Sequence, residues 1–311
     1  MRITNNLNEG DNGTLNKSSK WRPKGTIKLW DDYYSTYKPL EGVKVRARRW
    51  FTTHTGITNS SGYYSCNGRF RRPANYSIKW ERYHFSIRSG TYGQAKYDGP
   101  KQRGDWNWNI NDESQELYAI VFKAAHYYYY KNILNLKRPP LNGTLKPQMK
   151  IGVYNFPNPD NENVLGNHNE IRRIFGIGTW IKVWNDNFST QINYATVIHE
   201  LAHASHWDMV RGDFDDSDKI VKESWAVGVE WRLTRLVYPT YSRNYFDDYT
   251  GVVQDMIDGI NGYDQVSGYT ISQIEDALNN AKTFNQWKNN IKNLYNNGTE
   301  NNLDNLFNYW D

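Results

Sequence analysis

A single cysteine, Cys66, in 311 residues rules out an intramolecular disulfide and a thiolate zinc cluster alike. Any metal must therefore be held by histidine, aspartate or glutamate, and cysteine usage says nothing about the redox compartment. Long hydrophobic runs are missing too. No apolar stretch approaches the roughly 20 residues that cross a bilayer as a helix, and the polar N-terminus MRITNNLNEGDNGTLNKSSKW has no apolar core and does not read as a signal peptide as it stands. A strong excess of one charge is also lacking: 38 basic and 33 acidic residues leave a net +5. Only two short basic pieces stand out, RARRW (46–50) and RFRRP (69–73), and a balance this mild argues against a nucleic-acid partner. Aliphatic residues are scarce, but 13 Trp and 24 Tyr offset the deficit, because each ring buries a large area, so a folded protein is expected.

Residues 1–24 are rich in Asn, Gly, Ser and Lys and read as a flexible tail. From Gly25 to about residue 90, GTIKLW, GVKVRARRW, GYYS, YSIKW and FSIRS alternate apolar and polar residues between turn clusters such as TNSSG, which predicts a small all-β sandwich. Residues 91–111 carry Gly, Pro and polar residues without a period and read as a linker. Residues 112–311 read mainly as helices with a few strands, an α+β pattern. DESQELYAIVFKAAHYYYYKNIL opens on acids suited to a helix N-terminus, and its Tyr127–Tyr130 run reads as core. Thr270 and Thr283 are each followed three residues later by Gln, a capping-box signature. The expectation is two independent domains, so that a chain starting near Asp105 would fold alone.

The chemistry concentrates in ATVIHELAHASHW, residues 195–207. On a helix His199 and His203 lie one above the other and can present two imidazoles to one ion. Glu200, one step round, can then serve a zinc-bound water as general base and acid. Apolar Ile198, Leu201 and Ala202 around them count against an ordinary surface helix. The donor types suit one Zn2+ per chain. A third ligand is needed, and two acids of VKESWAVGVEW compete. Glu223 and Glu230 are seven residues apart and face the same way, about 10 Å from each other along a helix. Glu223 is preferred because it stands nearer the loop leading from the histidine helix, which leaves Glu230 to orient a histidine or pair with a nearby cation. His206 either touches substrate or makes a hydrogen bond at the rim, and both readings stay open. Tyr245 and Tyr249 are candidates for stabilising an oxyanion, with core packing as the alternative.

Two resemblances extend this reading. The segment PLEGVKVRARRWFTTHTGITNSSGYYS resembles the carboxypeptidase-regulatory-like (transthyretin-like) β-sandwich modules of secreted bacterial proteins. This implies a secreted or cell-surface location in a bacterium and a possible extracellular target for the sandwich. The H-E-x-x-H helix followed 20 residues later by Glu223 resembles the thermolysin-like gluzincins. This implies a zincin-like metallopeptidase acting on peptide or protein, with His199, His203 and Glu223 as ligands and Glu200 as catalytic residue. Where that family carries an aspartate supporting a histidine, this chain has Val227, so the partner of the histidines is not identified by the pattern. The competing reading is a glycan- or protein-binding protein whose zinc-bearing domain is an inert scaffold.

Overall fold

The structure is a computed structural model that describes residues 19–144, 147–161, 165–169, 180–185, 189–260, 262 and 264–311. The expected tail lies outside the described residues up to position 18. Among the described residues the chain is mixed α/β, with 13 strands in three sheets and eight α-helices.

The first sheet is built on β1 (Lys24–Asp31), which buries Ile27, Leu29 and Asp31 on one face and pairs with β2 (Thr36–Pro39), β5 (Tyr63–Ser65) and, in parallel, β10 (Trp108–Ile110). The second has the order β4-β3-β6-β9, from β3 (Lys44–Arg49), β4 (Thr52–Ile57), β6 (Ala74–Lys79) and β9 (Lys96–Gln102). The third runs β12-β13-β11-β7-β8, from β7 (Phe85–Ser89), β8 (Gly93–Gln94), β11 (Met149–Tyr154), β12 (Gly166–His168) and β13 (Ile181–Trp184).

These pairings correct the expected boundaries. Trp21 exchanges backbone hydrogen bonds with Phe70, and Arg22 Nη1 donates to the Cys66 carbonyl at 2.7 Å, so the tail does not extend to residue 24. The segment 91–111 is not a linker, because β9 pairs with β6 and β10 with β1. Its breaker residues have other uses. Pro100 sits on an edge strand, where a missing N–H is tolerated. A side chain at Gly99 would strike the Trp106 ring at 2.9 Å. Tyr97 stacks on Trp108 at 3.9 Å between ring centres, so this segment is held by rings rather than by aliphatic periodicity. The expected division near residue 90 also cuts a sheet. β7 pairs in parallel with β11, Phe85 opposite Met149 through Ser89 opposite Val153, and Phe85 and Ile87 are fully buried.

Helix α1 (Glu113–Tyr130) starts on Asp112, whose carboxylate accepts from Gln115 N, and packs Phe122 against Trp80 and Phe85. It lies against α2 (Thr190–Val210), which starts on the Ser189 hydroxyl and is buried on most sides. Tyr128 and Tyr129 are core, as the sequence suggests, while Tyr127 and Tyr130 are partly buried. A short α3 (Gly212–Asp216) leads to α4 (Lys219–Arg235), which packs on α2. Gly228 of α4 meets Val253 of α5 (Val252–Ile257) so closely that a side chain there would lie 2.3 Å from it. Then come α6 (Ile271–Asp276), α7 (Phe284–Leu294) and α8 (Leu303–Trp310), and both expected capping boxes, at Thr270 and Thr283, are formed.

A chain starting at Asp105 would lose β7, and with it the strand against β11 and the Phe85 contact with α1. Such a fragment is expected to be insoluble or to lack a cooperative thermal transition. A soluble fragment that unfolds cooperatively by circular dichroism would show that the β7 pairing is dispensable.

Candidate metal centre

Because α2 is regular through its middle, the four-residue spacing brings the rings of His199 and His203 to one face, and α4 crosses that face with Glu223. The two Nε2 atoms are 3.0 Å apart, and Glu223 Oε2 lies 3.2 Å from each. Donors held tetrahedrally around an ion at roughly 2.0–2.1 Å stand about 3.4 Å from one another. The three atoms therefore form one triangular face of such a shell with little adjustment, and the group can hold a metal ion. Both rings are buried, at 7% and 8% exposure, so there is little water to compete for their lone pairs.

Glu230, two turns beyond Glu223, meets the other side of His199. The ring Nδ1 donates to Glu230 Oε2 at 2.9 Å, because a carboxylate only accepts. In the neutral ring this fixes the tautomer and leaves the Nε2 lone pair pointing at His203 and Glu223. Glu230 is itself held by the Arg243 guanidinium and the Tyr241 hydroxyl. The support that the gluzincin resemblance would place at Val227 thus comes from Glu230, one turn further on. The sequence offers Glu230 as a rival ligand or as a group that orients a histidine or pairs with a cation, and here it contacts His199 Nδ1 and Arg243; Arg243 itself carried no local signal.

The electrostatics ask for a cation. Burial opposes charge on His199, but the carboxylates of Glu223 and Glu230 outweigh it and push the ring up to about 9. Burial would raise Glu223 as well, yet the two imidazoles hold it well below the usual carboxylate range. Glu230 is lowered in spite of burial, chiefly by Arg243 and then by His199.

Glu200 is 5% exposed, and its Oε2 has no hydrogen-bonding partner among the described residues. Burial raises its pKa, against the pull of the two histidines. Gly166 of β12 lies so close that a side chain there would sit 2.4 Å from Glu200 Oε1, so the strand edge and this carboxylate need a glycine between them. Nothing local in the sequence marks Gly166 for this.

The tyrosines separate cleanly. The Tyr249 ring stacks on His199 at 6.1 Å, the Arg243 guanidinium lies 5.3 Å from its ring centre, and burial followed by the Glu223 and Glu200 charges pushes its phenol up to about 12. Tyr245 turns away, with its hydroxyl on Gln254 and its ring against Trp310. His206 is not at the rim. It is 1% exposed with its ring edge-on to Phe214 at 5.1 Å, and burial, then His203, push it down to about 3. Two cavities of about 520 and 560 Å³ share Gly166, His199, Glu200 and Tyr249 in their walls, so open space adjoins the centre.

No known protein family, curated protein or solved structure matches this chain.

The raised His199 has a measurable consequence. Its pKa of about 9 lies above the ordinary 6.5, so at pH 7 without metal the ring holds a second proton, on Nε2, besides the one on Nδ1. A metal takes only the neutral ring, so uptake at pH 7 is expected to expel about one proton per ion, and fewer above pH 9. Calorimetric titration in buffers of different ionisation enthalpy reads this directly, and a heat independent of the buffer would contradict it.

Proposed function

We propose that this protein is a zinc-dependent peptidase. The observation that carries the reading is the convergence of His199 Nε2, His203 Nε2 and Glu223 Oε2 beside the buried Glu200, whose Oε2 has no hydrogen-bonding partner among the described residues, where two cavities share their walls. Two imidazoles and one carboxylate are the donor set of a catalytic zinc with an open position. When bound there, zinc would polarise the scissile carbonyl and acidify a water.

The chain's own residues would do the rest. Glu200 takes the proton of the attacking water and passes it to the leaving nitrogen, and its raised pKa suits both halves of that exchange. Tyr249, whose phenol stays protonated at neutral pH, faces the same cavities and can donate to the carbonyl oxygen as it gains charge. Glu230 keeps His199 in one tautomer and one orientation. On the substrate side, β12 pairs with β13 alone among the described residues, and an extended peptide adding along its other side would lie next to Glu200. In this reading the N-terminal strands are a carboxypeptidase-regulatory-like sandwich built onto a zincin-like body. The protein would act outside a bacterial cell on peptide or protein.

Purified protein is expected to carry about one zinc per chain and to cleave unfolded protein in a chelator-sensitive way. Glu200→Gln should retain the zinc and the fold but lose hydrolysis, because an amide cannot accept the proton. Near-wild-type turnover in that variant, or protein that neither holds nor takes up zinc, would refute the reading.

The two acids of α4 should differ in kind. Glu223→Ala removes a donor that faces both Nε2 atoms and should lower zinc affinity by orders of magnitude. Glu230→Ala removes only the support of His199 and should cost roughly ten- to a hundredfold. Competitive titration against a zinc chelator ranks them, and the reverse order would exclude Glu223 as third ligand.

A further inference from the structure

The two basic pieces of the sequence, RARRW and RFRRP, take no part in the metal centre, and the second sheet brings them together. β3 pairs antiparallel with β6, Arg48 opposite Asn75, and β6 pairs with β9, Asn75 opposite Lys101 and Ala74 opposite Gln102. These registers gather the end of β3, the start of β6 and the end of β9 at one end of the sheet. Arg48, Arg71, Arg72, Lys101 and Arg103 are exposed there, and Arg49 Nη1 donates to the Pro73 carbonyl at 3.1 Å, tying the two pieces together. Across residues 44–57, 66–79 and 96–105 the only carboxylates are Asp98 and Asp105. They face Lys96 at 2.8 Å and Lys24 at 3.9 Å. The mild net charge of the chain therefore conceals a concentrated one.

At the same end β3 turns into β4 through two residues, Trp50 and Phe51, with Arg49 opposite Thr52. Two-residue hairpin loops favour glycine or asparagine. Here Trp50 holds φ at +50°, which bulky residues rarely adopt, and the two rings are 76% and 100% exposed. They add nothing to the core and cost strain in the turn, so the fold alone gives no reason for them. The Arg49 guanidinium lies 4.7 Å from the Trp50 ring centre.

We infer that this hairpin tip is a peripheral anchor for an anionic lipid surface. Trp50 and Phe51 enter the boundary between headgroups and acyl chains, and the surrounding arginines meet lipid phosphates. The shape favours a bilayer over a polyanionic chain. Proteins that read single-stranded nucleic acid lay their rings along a groove so that bases can stack, whereas these rings cap a convex turn that can enter a soft surface but cannot enclose a strand. A fully exposed Phe also offers no hydrogen bond to a sugar. The inference stands apart from the metal centre.

Cosedimentation of the full chain with vesicles tests it. Binding is expected to phosphatidylglycerol–phosphatidylcholine vesicles at low salt, to be at least about tenfold weaker on phosphatidylcholine alone, and to fall with added salt. Trp50→Ala/Phe51→Ala should lower the partition coefficient about tenfold or more. Arg72→Glu/Lys101→Glu should lower it further and flatten the salt dependence. Both pairs should keep the wild-type thermal midpoint, because the replaced side chains lie outside the core. A readout that needs no variant is quenching of part of the tryptophan emission of the wild-type chain by vesicles with brominated acyl chains. Failure to bind the anionic vesicles, absence of that quenching, unchanged binding by the Trp50→Ala/Phe51→Ala variant, or capture by heparin or a single-stranded oligonucleotide in place of vesicles would each overturn the inference.

Discussion

The contact between α2 and α4 is the constraint on which the rest of the molecule turns. Two histidines, Glu200 and Glu230 are buried and Glu223 is partly buried where those helices meet. Burying that much charge is unfavourable unless each group finds a partner. Arg243 and Tyr241 close on Glu230, Glu230 closes on His199, and the Nε2 face is left for a cation. Removing one member of a buried ion pair typically costs about 3–5 kcal/mol, so the arginine and its glutamate hold the site's geometry and the local fold by the same contact.

The core around this contact is made of rings more than of aliphatic layers. Trp80, Phe85 and Phe122 join the end of the second sheet, the third sheet and α1, while Tyr194 and Tyr238 meet edge to face at 5.4 Å beside α2. A buried ion pair, Lys123 Nζ to Asp31 at 2.9 Å, completed by the Tyr238 hydroxyl, ties β1 to α1 and to the chain after α4. The early strands are thus bonded into the body that carries the metal centre, and a cut between residues 90 and 112 would part β7 from β11 and Asp31 from Lys123.

What could be read from the sequence was local. The H-E-x-x-H spacing placed two imidazoles on one helical face because the helix repeat is fixed, and the Thr-x-x-Gln pairs at Thr270 and Thr283 marked real caps because a capping box closes within four residues. What escaped was non-local. FSIRS alternates well enough to be a strand, but nothing in it reveals a parallel partner at Met149–Val153. Gly99 and Pro100 looked like breakers because a glycine kept clear for the Trp106 ring looks the same as one in a loop. Glu223 and Glu230 share a face, and only the position of α4 along α2 decides which of them reaches the Nε2 atoms and which the Nδ1.

The loop after α4 shows how that position is kept. It leaves α4 at Leu236 and returns along the helix, so that Tyr241 and Arg243 reach Glu230 while Tyr249 reaches His199 of α2. Its return is pinned beside Glu223. The Thr250 hydroxyl donates to Ser224 Oγ at 2.7 Å, that hydroxyl donates to the Asp248 carbonyl at 3.2 Å, and Lys219 pairs with the Asp248 carboxylate at 2.9 Å. Ser224 follows Glu223 in the chain, so the residue that locks the loop and the residue that faces both imidazoles share one turn of backbone. A shift of α4 along its axis would therefore have to break the loop lock, the Arg243–Glu230 pair and the Glu223 contacts together. This coupling is what lets one helix carry a candidate ligand and the support for its neighbour on a single face without the two exchanging roles.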